Sequence, residues 1–150
     1  RMIWFSLVPL VLLALEFFTF GKLATAFYIT QSLIGMFIFE IINYVEHYGL
    51  VRNKKANGEY EKVNYMHSWN SNTSLTNAIL LKIQRHSDHH VNALKAYQTL
   101  VHDPDTPQLP YGYAPMVILS LIPPVWFNIM NPRAKRANEL SAQKLKQTQQ

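Results

Sequence analysis

Two apolar runs, Ile3 to Phe20 and Leu23 to Val45, fill the first third of the chain and restrict its folding more than any other feature. Each carries a single charged residue, Glu16 in the first and Glu40 in the second. Each is about 20 residues long, the length an α-helix needs to cross a hydrocarbon core about 30 Å thick. Only Gly21 and Lys22 separate them, so the pair is predicted to form a tight transmembrane hairpin. A secretory signal peptide fits poorly, because two runs follow one another and no small-residue cleavage pattern closes the first. The overall apolar fraction of 49% conceals this crowding at the front.

The net charge of +5 says less than its placement. Arg52, Lys54, Lys55 and Lys62 follow the second run, Arg1 flanks the first on the same side, and Lys22 alone marks the other side. That bias puts both ends of the hairpin in the cytoplasm. The basic residues form no stripe interleaved with aromatics, which speaks against nucleic acid as a partner. The chain has no cysteine. Disulfides, thiolate metal sites, iron–sulfur clusters and a cysteine nucleophile are therefore excluded. Arg1 stands directly against apolar residues with no initiator Met, as expected of a piece of a longer protein.

The second run has a polar face. Glu40, Asn43 and His47 fall within a narrow arc, and Leu33 and Met36 extend it deeper. Polar groups at membrane depth usually face a bundle interior or a cavity. Residues 51–65 are polar, and a short β-hairpin is compatible with Arg52–Ala56 and Tyr60–Val63 around an Asn57-Gly58 turn. Any of Ser71, Asn72, Thr73 and Ser74 can cap a helix whose pattern runs through Leu75, Ile79 and Ile83 and carries the histidines 86, 89 and 90 in its later turns. A second helical piece would hold Leu94, Tyr97 and Gln98. The prolines at 104, 107 and 110 make a loop. The apolar stretch Tyr111–Met130 is broken by Pro115, Pro123 and Pro124, so it packs on the protein or the membrane surface instead of crossing. Leu140–Gln150 is rich in Gln and Lys and is expected to fray. The predicted fold is an all-α membrane protein: a helical hairpin (1–50), a mainly helical cytoplasmic region (51–136) and a polar tail (137–150).

His86-Ser87-Asp88-His89-His90 carries the chemistry. At about 100° per residue, His89 and His90 lie to either side of His86, so three imidazoles share one helix face and Asp88 points away. Three imidazoles on one arc can grip a metal ion, against the alternative of a dense surface cluster. If the chain folds back, His47 can join them. Neutral imidazoles without thiolates suit iron, copper or zinc. Carboxylates usually orient such ligands; Glu46, Asp88 and Asp103 are the candidates, although Asp88 can equally pin its helix to a neighbour. Trp69, Trp126, Tyr111 and Tyr113 are expected to pack or to anchor at the membrane interface.

Asn43-Tyr44-Val45-Glu46-His47-Tyr48-Gly49-Leu50 and Gln84-Arg85-His86-Ser87-Asp88-His89-His90 together resemble the signature of the alkane 1-monooxygenases, membrane non-haem di-iron hydroxylases of the fatty acid desaturase-like superfamily. His67-Ser68-Trp69-Asn70, Tyr97-Gln98, Leu109-Pro110, Gly112-Tyr113 and Pro123-Pro124 follow the same order. The resemblance covers residues 40–133 and places the chain in the C-terminal portion. It implies a multi-pass bacterial inner-membrane bundle with a cytoplasmic active site. It further implies two non-haem iron ions, O2 and a medium-chain n-alkane hydroxylated at its terminal carbon, with electrons from rubredoxin and its reductase. Carried onto this chain, the iron ligands are His47, His86, His89 and His90, and no further catalytic residue is assigned. His67 matches a position near the site, and the face of Leu33, Met36 and Glu40 becomes a candidate stretch of the alkane channel, with a helix–helix contact as the alternative.

The family's two earlier histidine motifs have no counterpart here, and Ala93 and Lys95 stand where it usually has Pro and Arg. Four ligands cannot complete two irons, so the chain alone is expected to be inactive. Two other readings compete. One keeps the di-iron class with another substrate, as in a fatty acyl desaturase or a xylene-type methyl hydroxylase. The other is a non-catalytic metal-binding membrane protein.

Overall fold

The structure, a computed structural model, describes residues 2–55 and 57–148. The Arg1 flank, Ala56 of the turn and the last two glutamines lie outside the described residues. The protein is mainly helical, and its two compact units divide between Glu40 and Ile41.

Helix α1 runs Met2–His47 and loses its helical track once, at Gly21, with φ 80° and ψ −179°. A positive φ is open to glycine without a Cβ penalty, which is why the interruption falls on the Gly-Lys link between the apolar runs. Up to Glu40 its described side chains are exposed or half-buried, and the most apolar window, with mean hydropathy 2.1, buries nothing in the protein. By length and composition this stretch can cross a membrane.

The second unit has the core. Val45 from the end of α1 packs with Trp69, Leu109, Tyr113, Met116, Trp126, Met130, Ala134 and Ala137. Helix α4 (Tyr113–Ser120) and helix α5 (Pro123–Thr148) pack against each other. The apolar 111–130 stretch therefore packs on the protein through Tyr113, Met116, Trp126 and Met130, while Tyr111 remains exposed. The frayed tail expected from Leu140 onward is instead the continuation of α5 to Thr148. Trp126, Met130, Ala134, Ala137 and Ser141 recur every three or four residues and are all buried, so a polar composition still presents one packed face.

Two further expectations are corrected. No strand forms among the described residues; the 52–63 hairpin reduces to a single antiparallel bridge between Lys54 and Tyr60. Both residues are exposed, so a sheet would have had no apolar face to bury. The base of the loop is held by polar bonds instead: Asn53 N–H donates to Glu61 Oε1 at 2.8 Å and Glu61 N–H to the Asn53 carbonyl at 3.0 Å. The single helix expected from Ser74 to the histidines is two short ones, α2 (Ser74–Ile79) and α3 (His86–Val91). Between them Leu81 and Lys82 take positive φ. Buried Gln84 explains the break: its amide donates to Asn77 Oδ1 (2.6 Å) and the Thr73 carbonyl (3.0 Å), and its oxygen accepts from Thr76 Oγ1 (2.6 Å). A regular helix would leave those buried groups without partners. The second helical piece is a 3-10 turn over Tyr97–Thr99.

Gly49 lets α1 end against α5. Its φ is 68°, and a Cβ there would sit 2.8 Å from Ala134 Cβ. Gly58 also has positive φ, at 81°, but open space around it. Gly49→Ala is therefore expected to cost about 3 kcal/mol, from left-handed strain plus overpacking, and Gly58→Ala only about 1. Thermal unfolding of the two variants checks this; equal losses would show that the α1–α5 approach is not tight.

Candidate metal centre

The centre is built where α1 ends beside α3. His47 directs Nδ1 to the Asn43 carbonyl one turn back, at 2.9 Å. A carbonyl only accepts, so Nδ1 carries a proton, which in the neutral ring leaves Nε2 able to ligate. Nε2 lies 3.0 Å from His90 Nε2, and His90 Nε2 lies 2.8 Å from His86 Nε2. The three nitrogens lie within 4.8 Å of one another. Imidazole nitrogens about 2.1 Å from one first-row ion, at right angles, stand about 3 Å apart, so this donor set fits a metal ion.

Its electrostatics favour the neutral, ligating form. Burial, followed by the imidazoles of His90, His47 and His89, pushes His86 down to about 3. Burial and then His47 and His89 also lower His90. His89 stands apart from the convergent trio: its ring centroid is 6.0 Å from those of both His86 and His90.

The carboxylates divide by role. Glu46 is buried with Oε2 3.2 Å from His86 Nε2. Asp88 faces away from the trio, as helix geometry requires. It accepts from Lys95 Nζ (2.7 Å), Asn92 Nδ2 (2.8 Å) and the Val101 N–H (2.8 Å), pinning α3 to the segment that follows. Burial raises the Asp88 carboxyl, but Lys95 and these hydrogen bonds outweigh it and leave the group below the usual range. Asp103 bonds within its own loop, to the Asp105 N–H at 2.9 Å. His67 has both nitrogens occupied, Nδ1 by the Asn64 N–H (3.0 Å) and Nε2 by Glu61 Oε1 (3.2 Å). Leu33, Met36 and Glu40 are exposed residues of the other unit.

Sequence reasoning missed the crosspiece that holds α1 and α3 in register. The Trp69 N–H donates to the Glu46 carbonyl at 2.8 Å, and its indole N–H to the Tyr48 carbonyl at 2.8 Å. Asn70, buried next to it, accepts the Ser87 N–H at 2.9 Å and lies 2.6 Å from Ser87 Oγ and 3.0 Å from Thr106 Oγ1. Tyr113 closes the arrangement from α4, donating to the Trp69 carbonyl at 2.9 Å. Burial and the adjacent Glu46 carboxyl push that phenol well above 10, so it stays a donor. A polar Ser-Trp-Asn run just before a cap was the available signal.

Residues 1–129 match the fatty acid desaturase family. The chain belongs to that family. It is 49% identical over 135 residues to alkane 1-monooxygenase 1 of Pseudomonas aeruginosa, covering 90% of this chain and 35% of the relative. It is 48% identical over 114 residues to the alkane 1-monooxygenase of Acinetobacter baylyi, covering 76% and 28%. The xylene/toluene monooxygenase hydroxylase component of Pseudomonas putida is 29% identical over 102 residues, covering 68% and 26%. The chain thus spans about a third of the length of the alkane 1-monooxygenases it matches.

Two outcomes follow from this geometry. Titration of the purified chain with Co(II) should give an absorbance that His47→Ala, His86→Ala and His90→Ala each weaken by at least about ten-fold in affinity, with His67→Ala near wild type. Equal loss in His67→Ala would show that the trio is not the binding site. The second outcome concerns Glu61. Burial raises this carboxyl, but Asn53, through backbone and amide, and His67 outweigh it and hold it below the ordinary value. Its contribution to stability is present above the unfolded carboxyl pKa of about 4.3 and is lost as pH falls through the lower folded value. Exchange protection of the Asn53 amide should fall in that window, and Glu61→Gln should abolish the dependence; a flat profile in the wild type would refute the clamp.

Proposed function

We propose that these residues work as the C-terminal portion of a membrane di-iron monooxygenase that hydroxylates the terminal carbon of medium-chain n-alkanes. O2 is the oxidant, and electrons come from rubredoxin and its reductase. The protein is a multi-pass protein of the bacterial inner membrane, the break at Gly21 turns the two apolar runs into a hairpin, and the active site faces the cytoplasm. The observation that carries the reading is the convergence of three histidine Nε2 atoms in a chain with close alkane 1-monooxygenase relatives. Identities of 37–49% to alkane enzymes, against 29% to the methyl-arene enzyme, favour the alkane as substrate.

Two iron ions, when bound, supply the redox chemistry that activates O2. The chain's own residues do the rest. His47, His86 and His90 would offer three convergent nitrogens to an ion, and His89, apart from them, would serve as a ligand elsewhere in the centre. The Asn43 carbonyl aims His47 by holding its Nδ1 proton. Glu46 stands beside the His86 Nε2 that would bind the ion and so borders the metal position. Leu33, Met36 and Glu40 line part of the alkane path on α1. Asp88 acts on the site only through the anchoring of α3.

A chimera tests this, with the aligned residues of this chain replacing their counterparts in alkane 1-monooxygenase 1 of Pseudomonas aeruginosa. Assayed in membranes with rubredoxin and its reductase, it should hold two irons and convert octane to 1-octanol. His89→Ala in the chimera should lower both iron content and product by more than about ten-fold. Full iron with no alcohol would shift the substrate to another of the same class, and neither iron nor alcohol in a folded chimera would overturn the reading.

A further inference from the structure

We infer that the elbow joining α4 to α5, residues 118–127, is an interfacial anchor that dips into the bilayer and seats the second unit on an anionic phospholipid surface. This rests on the placement of α1 across the membrane and is independent of the monooxygenase chemistry. One face of the elbow packs inward, through Met116, Trp126 and Met130. The other face is bare: Ile118, Leu121, Ile122, Val125 and Phe127 are 63%, 55%, 47%, 40% and 44% exposed. No residue between Asp105 and Arg133 carries a charge. A contiguous apolar patch next to charged residues marks a surface that meets something other than water.

Three observations make the bilayer the occupant. The first is position. The elbow packs beside the last turns of α1, the helix long and apolar enough to cross a membrane. Ile41 and Ile42 share a core with Val117 and Ile129, and the Trp126 ring lies 5.6 Å from that of Tyr44 and 5.2 Å from that of Tyr48. All of these residues belong to the second unit. The second observation is the backbone, because hydrocarbon offers no partner to a bare N–H. Leu121 N–H donates to the Ile118 carbonyl at 3.2 Å, Ile122 N–H to Leu119 at 3.0 Å and Trp126 N–H to Ile122 at 3.0 Å. Pro123 and Pro124 have no N–H to satisfy. Ser120 turns its hydroxyl back onto the Val117 carbonyl, at 2.7 Å. The third observation is charge. Arg133, Lys135 and Arg136 are the first charges past the elbow, and all three are exposed. Arg133 stands about 15 Å along α5 from Pro123. An elbow sunk to the acyl boundary therefore leaves these cations at the level of the lipid phosphates.

The absence of cysteine makes the test clean, since single labels can be introduced without background. The full chain is reconstituted in vesicles of phosphatidylcholine and phosphatidylglycerol. A nitroxide is attached in turn to Leu121→Cys, Ile122→Cys, Ile34→Cys on α1 and Lys62→Cys in the polar loop. Spin relaxation by O2, which concentrates in the bilayer, is compared with relaxation by a nickel chelate, which stays in water. The ratio of O2 to chelate at positions 34, 121 and 122 should exceed that at 62 by at least about three-fold. Arg133→Gln with Lys135→Gln should lower the ratio at 122 by at least about two-fold, and no change would remove the part given to the cations. A ratio at 121 and 122 equal to that at 62, with 34 in the bilayer, overturns the anchor and leaves α1 across the membrane. A low ratio at 34 removes the membrane placement itself. Shielding of 121 and 122 from both relaxers, in the full chain or in a cysteine-free version of the chimera, assigns the elbow to a protein contact and overturns the bilayer as its occupant.

Discussion

The buried side-chain amide of Asn70 is the interaction on which the rest of the second unit depends. It sits between α3, through the Ser87 N–H and hydroxyl, and the 106–109 segment, through Thr106 and the Pro107 carbonyl. Its backbone extends the same junction, donating to the Pro107 carbonyl at 2.8 Å and accepting from Leu109 at 2.8 Å. Trp69, one residue earlier, ties the junction to the carbonyls of Glu46 and Tyr48. Two adjacent residues therefore set the distance between the end of α1 and the start of α3, which is the distance between His47 and His86. An apolar residue at position 70 would leave the Ser87 N–H buried and unpaired, at a cost of about 1–3 kcal/mol.

This division of labour explains which parts were legible in the sequence. The apolar run of α1 and the facing of His86 and His90 follow from periodicity alone, a local property. Placing His47 beside them required a contact across more than forty residues, which the resemblance supplied and spacing could not. The helix break at Leu81–Lys82 was illegible because the apolar pattern through Leu75, Ile79 and Ile83 is helical. Only the tertiary burial of Gln84, with three short-range partners, makes the continuous helix more costly than two residues at positive φ. The end of α5 failed in the opposite direction. Gln and Lys dominate its composition, yet Ala134, Ala137 and Ser141 keep one face packed.

The polar residues that sequence reading placed near the metal sort by what they hold. Asp88 has three donors and no reach toward the imidazoles, so its charge is used to anchor the helix that carries them. His67 is engaged at both nitrogens and belongs to the Glu61 clamp on the 53–67 loop. Glu46 alone among the acidic candidates touches a ring of the cluster. A residue next to a histidine in sequence need not be next to it chemically.

Burial across the trio is graded: His86 is buried, His47 half-buried and His90 exposed. Desolvation acts most strongly on His86 and pushes it down to about 3. The other two keep contact with solvent, so an ion can enter from their side and meet a buried imidazole that favours its neutral form. The fold places the buried ligand, His86, at the start of a short helix whose first turn is pinned through Asn70 at Ser87 and through Val101 at Asp88.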